Sequence, residues 1–179
     1  KAQTLDEQMR DVLQFLPGVF DQKIRKIVMN KSYRNTMEIA RYAEKLTGVK
    51  DVELLKRHGK DVVEEEFRTE DAVLDEILSK SKLGEDEYET AAIITMTEAE
   101  ASTLYQILKA RGEEVHYIDR NSSVFKKGLT VTTFYLAKGL EFDQVFGVFQ
   151  DVGNPMLNQA KYICATRALH ELYMYQITE

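Results

Sequence analysis

Three short stretches are the first places to look for chemistry: NKSYRNT at 30–36, LAKGLEF at 136–142 and CATRA at 164–168. The first falls between a strand-like pattern and a capped helix, and all three are read as turns, since turns at the carboxyl ends of strands are where an open parallel sheet carries its ligands. Arginine stands out among them, because its permanently charged planar fork suits phosphate and carboxylate. Taken alone, each residue also has a plainer account. Arg167 reads as a surface helix arginine in a weak ion pair, Tyr33 as a ring stapling a helix start, and Glu141 as a solvated turn residue.

Other reactive residue types lead nowhere. Cys164 sits in an apolar run with no histidine at catalytic spacing and reads as a buried structural thiol. His58, His116 and His170 are scattered and offer no metal-ligand spacing. No G-x-x-x-x-G-K-[ST] occurs: the nearest pair, Gly59-Lys60, has Leu54 where the first glycine is required. The string AVLDEIL at 72–78 imitates the Asp-Glu end of a magnesium-binding strand, but Thr69 caps it and Leu74, Ile77 and Leu78 fall at helical spacing. A chain with neither phosphate cradle nor metal carboxylate is not expected to hydrolyse ATP by itself.

The elements that must position the three turns follow from composition and periodicity. At 179 residues and 44% hydrophobic content the chain can bury a sizeable core as one domain. A single cysteine excludes a disulfide framework, and no apolar run reaches the 18 or so residues of a membrane span. A reducing, cytoplasmic setting with no membrane partner is expected. The net charge of -6 disfavours wrapping duplex DNA by bulk electrostatics, so any nucleic-acid contact must be local. Lys1 to Thr4 and the acidic stretch Gly84 to Glu89 are expected to be mobile, and acidic runs such as Val63 to Glu66 to be solvated.

Helix and strand signals alternate. Thr4 to Glu7 is a capping box for a helix with Met9, Val12, Leu13 and Leu16 on one face, stopped by Pro17-Gly18. Residues 23–29 look extended. Asn35 with Glu38 forms the next box, opening a helix that ends at Gly48. Val62 to Phe67 reads as a strand, followed by a helix near Glu70 to Leu78. Thr90 to Met96 is β-rich, and Thr97 with Glu100 boxes a helix that runs to Gly112. Strands at Glu114 to Ile118, Thr130 to Phe134 and Gln144 to Phe149, a helix from about Asn158 to Leu169 and a strand Glu171 to Ile177 complete the pattern. Continuous apolar strands between amphipathic helices predict an α/β fold, a mostly parallel sheet flanked by helices on both faces.

The three turns also carry a resemblance. NKSYRNT resembles the N-Y-R-S motif of UvrD/Rep-type superfamily 1 DNA helicases, TTFYLAKGLEF is similar to their T-x-H-x-x-K-G-L-E-F motif V, and YICATRALHEL resembles their Y-V-x-x-T-R-A motif VI. The order and spacing agree, with T-R-A about 25 residues after K-G-L-E-F. The resemblance implies the second RecA-like motor domain, 2A, a three-layer sandwich over residues 1–179, with 1–20 a lead-in helix from the preceding motor domain.

It further implies site roles. Tyr33 would stack on adenine, Arg34 and Arg167 would reach the γ-phosphate of ATP as catalytic arginines, and Glu141 would hydrogen-bond the ribose. Thr133, Tyr135 and Lys138 would contact the backbone of single-stranded DNA. The family's usual histidine position holds Tyr135, which keeps a hydrogen-bonding group without an imidazole. ATP with Mg2+ would be held mainly by an N-terminal P-loop motor domain of the same protein, with RNA polymerase or repair proteins as further partners. Only about 17 residues, Glu113 to Leu129, occupy the place where unwinding members insert domain 2B, so 2B is expected to be absent or vestigial. A non-catalytic interaction module of the same descent is the alternative, and it predicts that Arg34 and Arg167 do not converge.

Overall fold

The computed structural model describes residues 31–32, 34–48, 53–54, 56–84, 87–122, 126–150 and 153–178, the backbone alone at 31–32 and 53–54. The expected helix after Thr4, the strand at 23–29 and Tyr33 lie outside the described residues.

Among the described residues, eight strands and four helices alternate: β1 (Lys31–Ser32), α1 (Met37–Thr47), β2 (Glu53–Leu54), β3 (Val63–Phe67), α2 (Glu70–Lys80), β4 (Thr90–Thr95), α3 (Glu98–Ala110), β5 (Val115–Tyr117), β6 (Gly128–Thr133), β7 (Phe142–Phe149), α4 (Leu157–Arg167) and β8 (Ala168–Ile177). Strands β3 to β8 form one sheet of order β3-β8-β7-β4-β6-β5, parallel throughout, and β1 pairs with β2 separately.

The central strands are apolar on both faces because both are covered. Ala92, Ile94, Val145 and Phe149 pack with Ile39 of α1 and Ile163 and Cys164 of α4 on one face. Ala91, Ile93, Phe146 and Tyr173 pack with Val73 and Leu74 of α2 and Leu104 of α3 on the other. The chain is therefore the α/β three-layer sandwich that its apolar strands predict. Cys164 is completely buried, and burial pushes its thiol up.

Local signals account for most helix ends. Thr97 and Glu100 complete both halves of the capping box that opens α3. Thr69 caps α2 through the Ala72 amide, and AVLDEIL lies inside that helix. Gly48 closes α1 at φ +68, a left-handed conformation that suits glycine.

Two local expectations fail for tertiary reasons. The cap of α1 is Thr36, whose hydroxyl accepts from Ile39 N, while the Asn35 side chain reaches across to the backbone of α4. Glu38 in turn serves His58 and the Gly59 amide. At the other end of the chain α4 stops at Arg167 and β8 begins at once, because Ala168 is already in register with Phe142 of β7. The described part of the acidic 84–89 stretch is tied down as well: Leu83 bridges Tyr88 and Lys82 pairs with Glu87.

Candidate functional site

Glu141 and Arg167 are the residues immediately before β7 and β8, and the pairing of Phe142 with Ala168 brings them side by side. The segment before α1 is fastened to the same place. Asn35 Nδ2 donates to the carbonyls of Ala165 (3.0 Å) and Ala168 (2.6 Å), which would otherwise be orphaned at the end of α4. Arg57 Nη2 adds bonds to the Arg34 carbonyl (2.9 Å) and the Leu169 carbonyl (2.5 Å). Arg34 is thereby carried to Glu141, with Nε 2.6 Å from Oε1 and both side chains about half exposed.

Arg167 lies behind this pair and is 5% exposed. Its Nη1 donates to the Leu140 carbonyl at 3.1 Å, and Nε and Nη2 donate to the Thr166 hydroxyl at 3.3 and 3.2 Å. Burial pulls its pKa down and the nearby Arg34 charge adds to this, while Glu141 opposes it. Two guanidiniums thus stand near one carboxylate, which is paired with Arg34 alone, leaving a net positive charge. These bonds use three of the five N–H groups on Arg167. The donor set fits an anion such as phosphate, not a metal cation, and no group of three or more His, Cys, Asp or Glu able to hold a metal occurs among the described residues.

The position of this cluster corrects the expectation that all three turns act at the carboxyl ends of strands. Arg34, Glu141 and Arg167 gather at the amino ends of β7 and β8. The physical reason is the path of the LAKGLEF segment. It leaves β6 at Thr133, coils back through Ala137 N to Thr133 O and Leu140 N to Ala137 O, and turns at Gly139 with φ +89 to enter β7 from the opposite edge.

Thr133 and Tyr135 remain at the carboxyl edge. With β6 six residues long, Thr133 stands roughly 20 Å from the amino edge at about 3.3 Å per residue. Thr133 is buried and its hydroxyl finds no hydrogen-bond partner among the described residues. The Tyr135 hydroxyl donates to Glu98 Oε1 at 2.7 Å, and Arg120 Nε reaches the same oxygen at 2.9 Å. Those two bonds, the Tyr135 one first, hold the Glu98 carboxyl below its usual range. Lys138 is exposed, on the segment that joins the two edges.

A second amino-edge network has no counterpart among the sequence motifs. Glu171, 3% exposed, accepts from Tyr173 Oη (2.7 Å), Lys82 Nζ (2.9 Å), Gln144 Nε2 (2.9 Å) and Lys60 Nζ (3.0 Å). Burial acts to raise its pKa, but the donors overcome this and hold it at about 2. Arg57 and Glu171 show no periodic or motif signal, because apart from Tyr173 the partners named here lie 23 or more residues away in sequence, and the cap signal at Asn35 points to its own helix rather than to carbonyls 130 and 133 residues away.

No protein-family profile matches the chain, and no curated protein matches it. Among solved structures, the C-terminal domain of a possible DNA helicase from Lactobacillus plantarum WCFS1 matches with a TM-score of 0.64 and 28% identity, over 82% of this chain and 88% of that one. An Arterivirus nonstructural protein 10 helicase matches at 14% identity and a TM-score of 0.44, over 65% of this chain and 27% of that one. Its complex with DNA gives 12% and 0.43, over 64% and 28%. This chain thus shares the α/β fold of the Lactobacillus protein, the C-terminal domain of a possible DNA helicase.

Proposed function

We propose that this chain is the second motor domain, 2A, of a UvrD/Rep-type ATP-dependent DNA helicase or translocase, inactive without its P-loop partner domain. The observation that carries the reading is the convergence of Arg34, Glu141 and Arg167, from three segments distant in sequence, on one edge of the sheet. An interaction module that kept only the fold would have no reason to hold two like-charged guanidiniums together, since doing so raises its energy. The similarity to a helicase C-terminal domain supports the same reading.

ATP with Mg2+, held mainly by the P-loop domain, would supply the phosphoryl group whose charge these arginines oppose. Within this chain, Arg34 and Arg167 present the positive charge, Tyr33 would stack on the base, and Glu141 would pass from its Arg34 pair to the ribose. Leu140 and Thr166 fix the Arg167 guanidinium, so its charge is in place before a nucleotide arrives. Tyr135 at the other edge, with Lys138 on the segment leading away from it, would contact a single strand, while Thr133, which is buried, would act only by supporting that edge. The 113–129 connection leaves domain 2B absent or vestigial, which favours translocation, with action on RNA polymerase or repair complexes, over strand separation. A cytoplasmic setting belongs to the same proposal. No helix among the described residues is long and apolar enough to cross a membrane.

The test is steady-state ATPase activity, with and without single-stranded DNA, of the protein in which this domain is joined to its P-loop domain. Arg167→Ala is expected to lower turnover by about a thousandfold while nucleotide binding is largely kept. Unchanged turnover would overturn the motor reading in favour of the interaction module.

A further inference from the structure

At the carboxyl edge a phenol and a guanidinium converge on one anionic oxygen. Tyr135 Oη is 2.7 Å and Arg120 Nε 2.9 Å from Glu98 Oε1. Two donors of this kind, aimed at one oxygen from separate segments, make an anion site, and its occupant is the protein's own carboxylate. The turn bearing Arg120 is shaped by Asp119, whose Oδ1 accepts from Asn121 N at 2.9 Å and from the Ser122 hydroxyl at 2.8 Å. Helix α3 does not need Glu98 for its start, since Thr97 and Glu100 complete the cap between them. The pair is also open to solvent, with the Arg120 side chain 74% exposed, and exposed ion pairs of this kind are weak enough to be displaced.

We propose that Glu98 is an intramolecular stand-in for a nucleic-acid phosphate, so that a single strand reaches Tyr135 and Arg120 only by displacing it. The inference rests on the reading that the carboxyl edge carries single-stranded DNA, and it adds Arg120 as a phosphate contact and Glu98 as the group that weakens and tunes binding. Once displaced, the Glu98 side chain returns to water, and a phosphodiester oxygen takes the same two donors.

Binding of a fluorescent oligothymidylate to the 179-residue chain, followed by anisotropy at fixed low salt, tests this. Glu98→Gln is expected to tighten binding by about two- to fivefold, the scale of one exposed ion pair. Glu98→Asp, which keeps the charge but shortens the reach, is expected to fall between Glu98→Gln and the parent. Arg120→Ala and Tyr135→Phe are expected to weaken binding, and adding Arg120→Ala to Glu98→Gln to abolish the gain. Glu114→Gln, on an exposed residue before β5 at the opposite edge, makes the same change in net charge and is expected to leave binding unchanged. Tightening by Glu98→Gln no greater than by Glu114→Gln, with Arg120→Ala and Tyr135→Phe still weakening binding, would overturn the stand-in role alone. If neither these variants nor Lys138→Ala moved the affinity, the nucleic-acid reading of this edge would fall, and the inference with it.

Discussion

The two edges of one sheet treat their charged residues in opposite ways. At the amino edge Arg167 and Glu171 are nearly buried and are held by backbone carbonyls and several side-chain donors. At the carboxyl edge Arg120, Glu98 and Tyr135 meet in solvent through single contacts. A buried charge with several fixed partners cannot move far without leaving donors or acceptors unmet. An exposed pair exchanges partners at little cost. The buried charges Arg167 and Glu171 of the amino edge are therefore built for one fixed arrangement, whereas the exposed trio of the carboxyl edge, like the half-exposed Arg34–Glu141 pair in front of Arg167, is built for exchange.

Substitutions at each edge can break that contrast, beginning with the largest effect. In the protein carrying both motor domains, Arg34→Ala is expected to lower ATP turnover by about a thousandfold, like Arg167→Ala, and the double variant to lose little more because the two act as a unit. Losses that instead multiply in steady-state assays would mean the two arginines work independently.

Next in size is the buried network. Glu171→Ala should lower unfolding stability by about 3 kcal/mol in urea titrations, since it strands the Lys82 and Tyr173 donors. The same carboxylate gives a pH signature. Glu171 is held at about 2 when folded, against an ordinary 4.5, and Glu38 is similarly held at about 2 by its bonds to His58 and to backbone amides. Folded pKa values below the unfolded ones mean that this stabilisation is complete above about pH 4.5 and lost as pH falls from there towards 2. Glu171→Gln should flatten that slope in pH-dependent melts, and an unchanged slope would assign the acid sensitivity elsewhere.

A smaller effect is expected where a neutral side chain fastens the amino edge. Asn35→Ala should cost about 2 kcal/mol by leaving the Ala165 and Ala168 carbonyls without their side-chain donor, measurable by chemical denaturation. Smallest of all, Tyr135→Phe should change stability by no more than about 0.5 kcal/mol, because its one bond lies in solvent. A loss comparable to that of Asn35→Ala would erase the difference between the edges.

How much was legible in the chain depended on the range of the interaction. The continuous apolar run TAAIIT announced a strand covered on both faces, and all of it but Thr90 is buried. Thr69, Thr97 with Glu100, and Gly48 act within four residues of themselves, so their caps were readable directly. Asn35 looked like a cap by the same rule, yet its amide serves carbonyls 130 and 133 residues away while Thr36 takes the cap. The residues singled out in the three turns were informative by type, but not by place. Their spacing said nothing of which end of the sheet they would occupy, and Glu171, Arg57 and Arg120 had no local signature at all.

By itself, the sequence determined the alternation of strand and helix, the parallel sheet buried on both faces and the helix ends capped by near neighbours, because these depend on periodicity and on side chains reaching their own backbone. Only the tertiary structure decided that Arg34, Glu141 and Arg167 meet at the amino ends of β7 and β8 while Tyr135 meets Glu98 and Arg120 at the far edge. That division comes from strand order and register, which place the residue before β7 beside the residue before β8. Such contacts join segments separated by tens of residues, and no pattern confined to one segment encodes them.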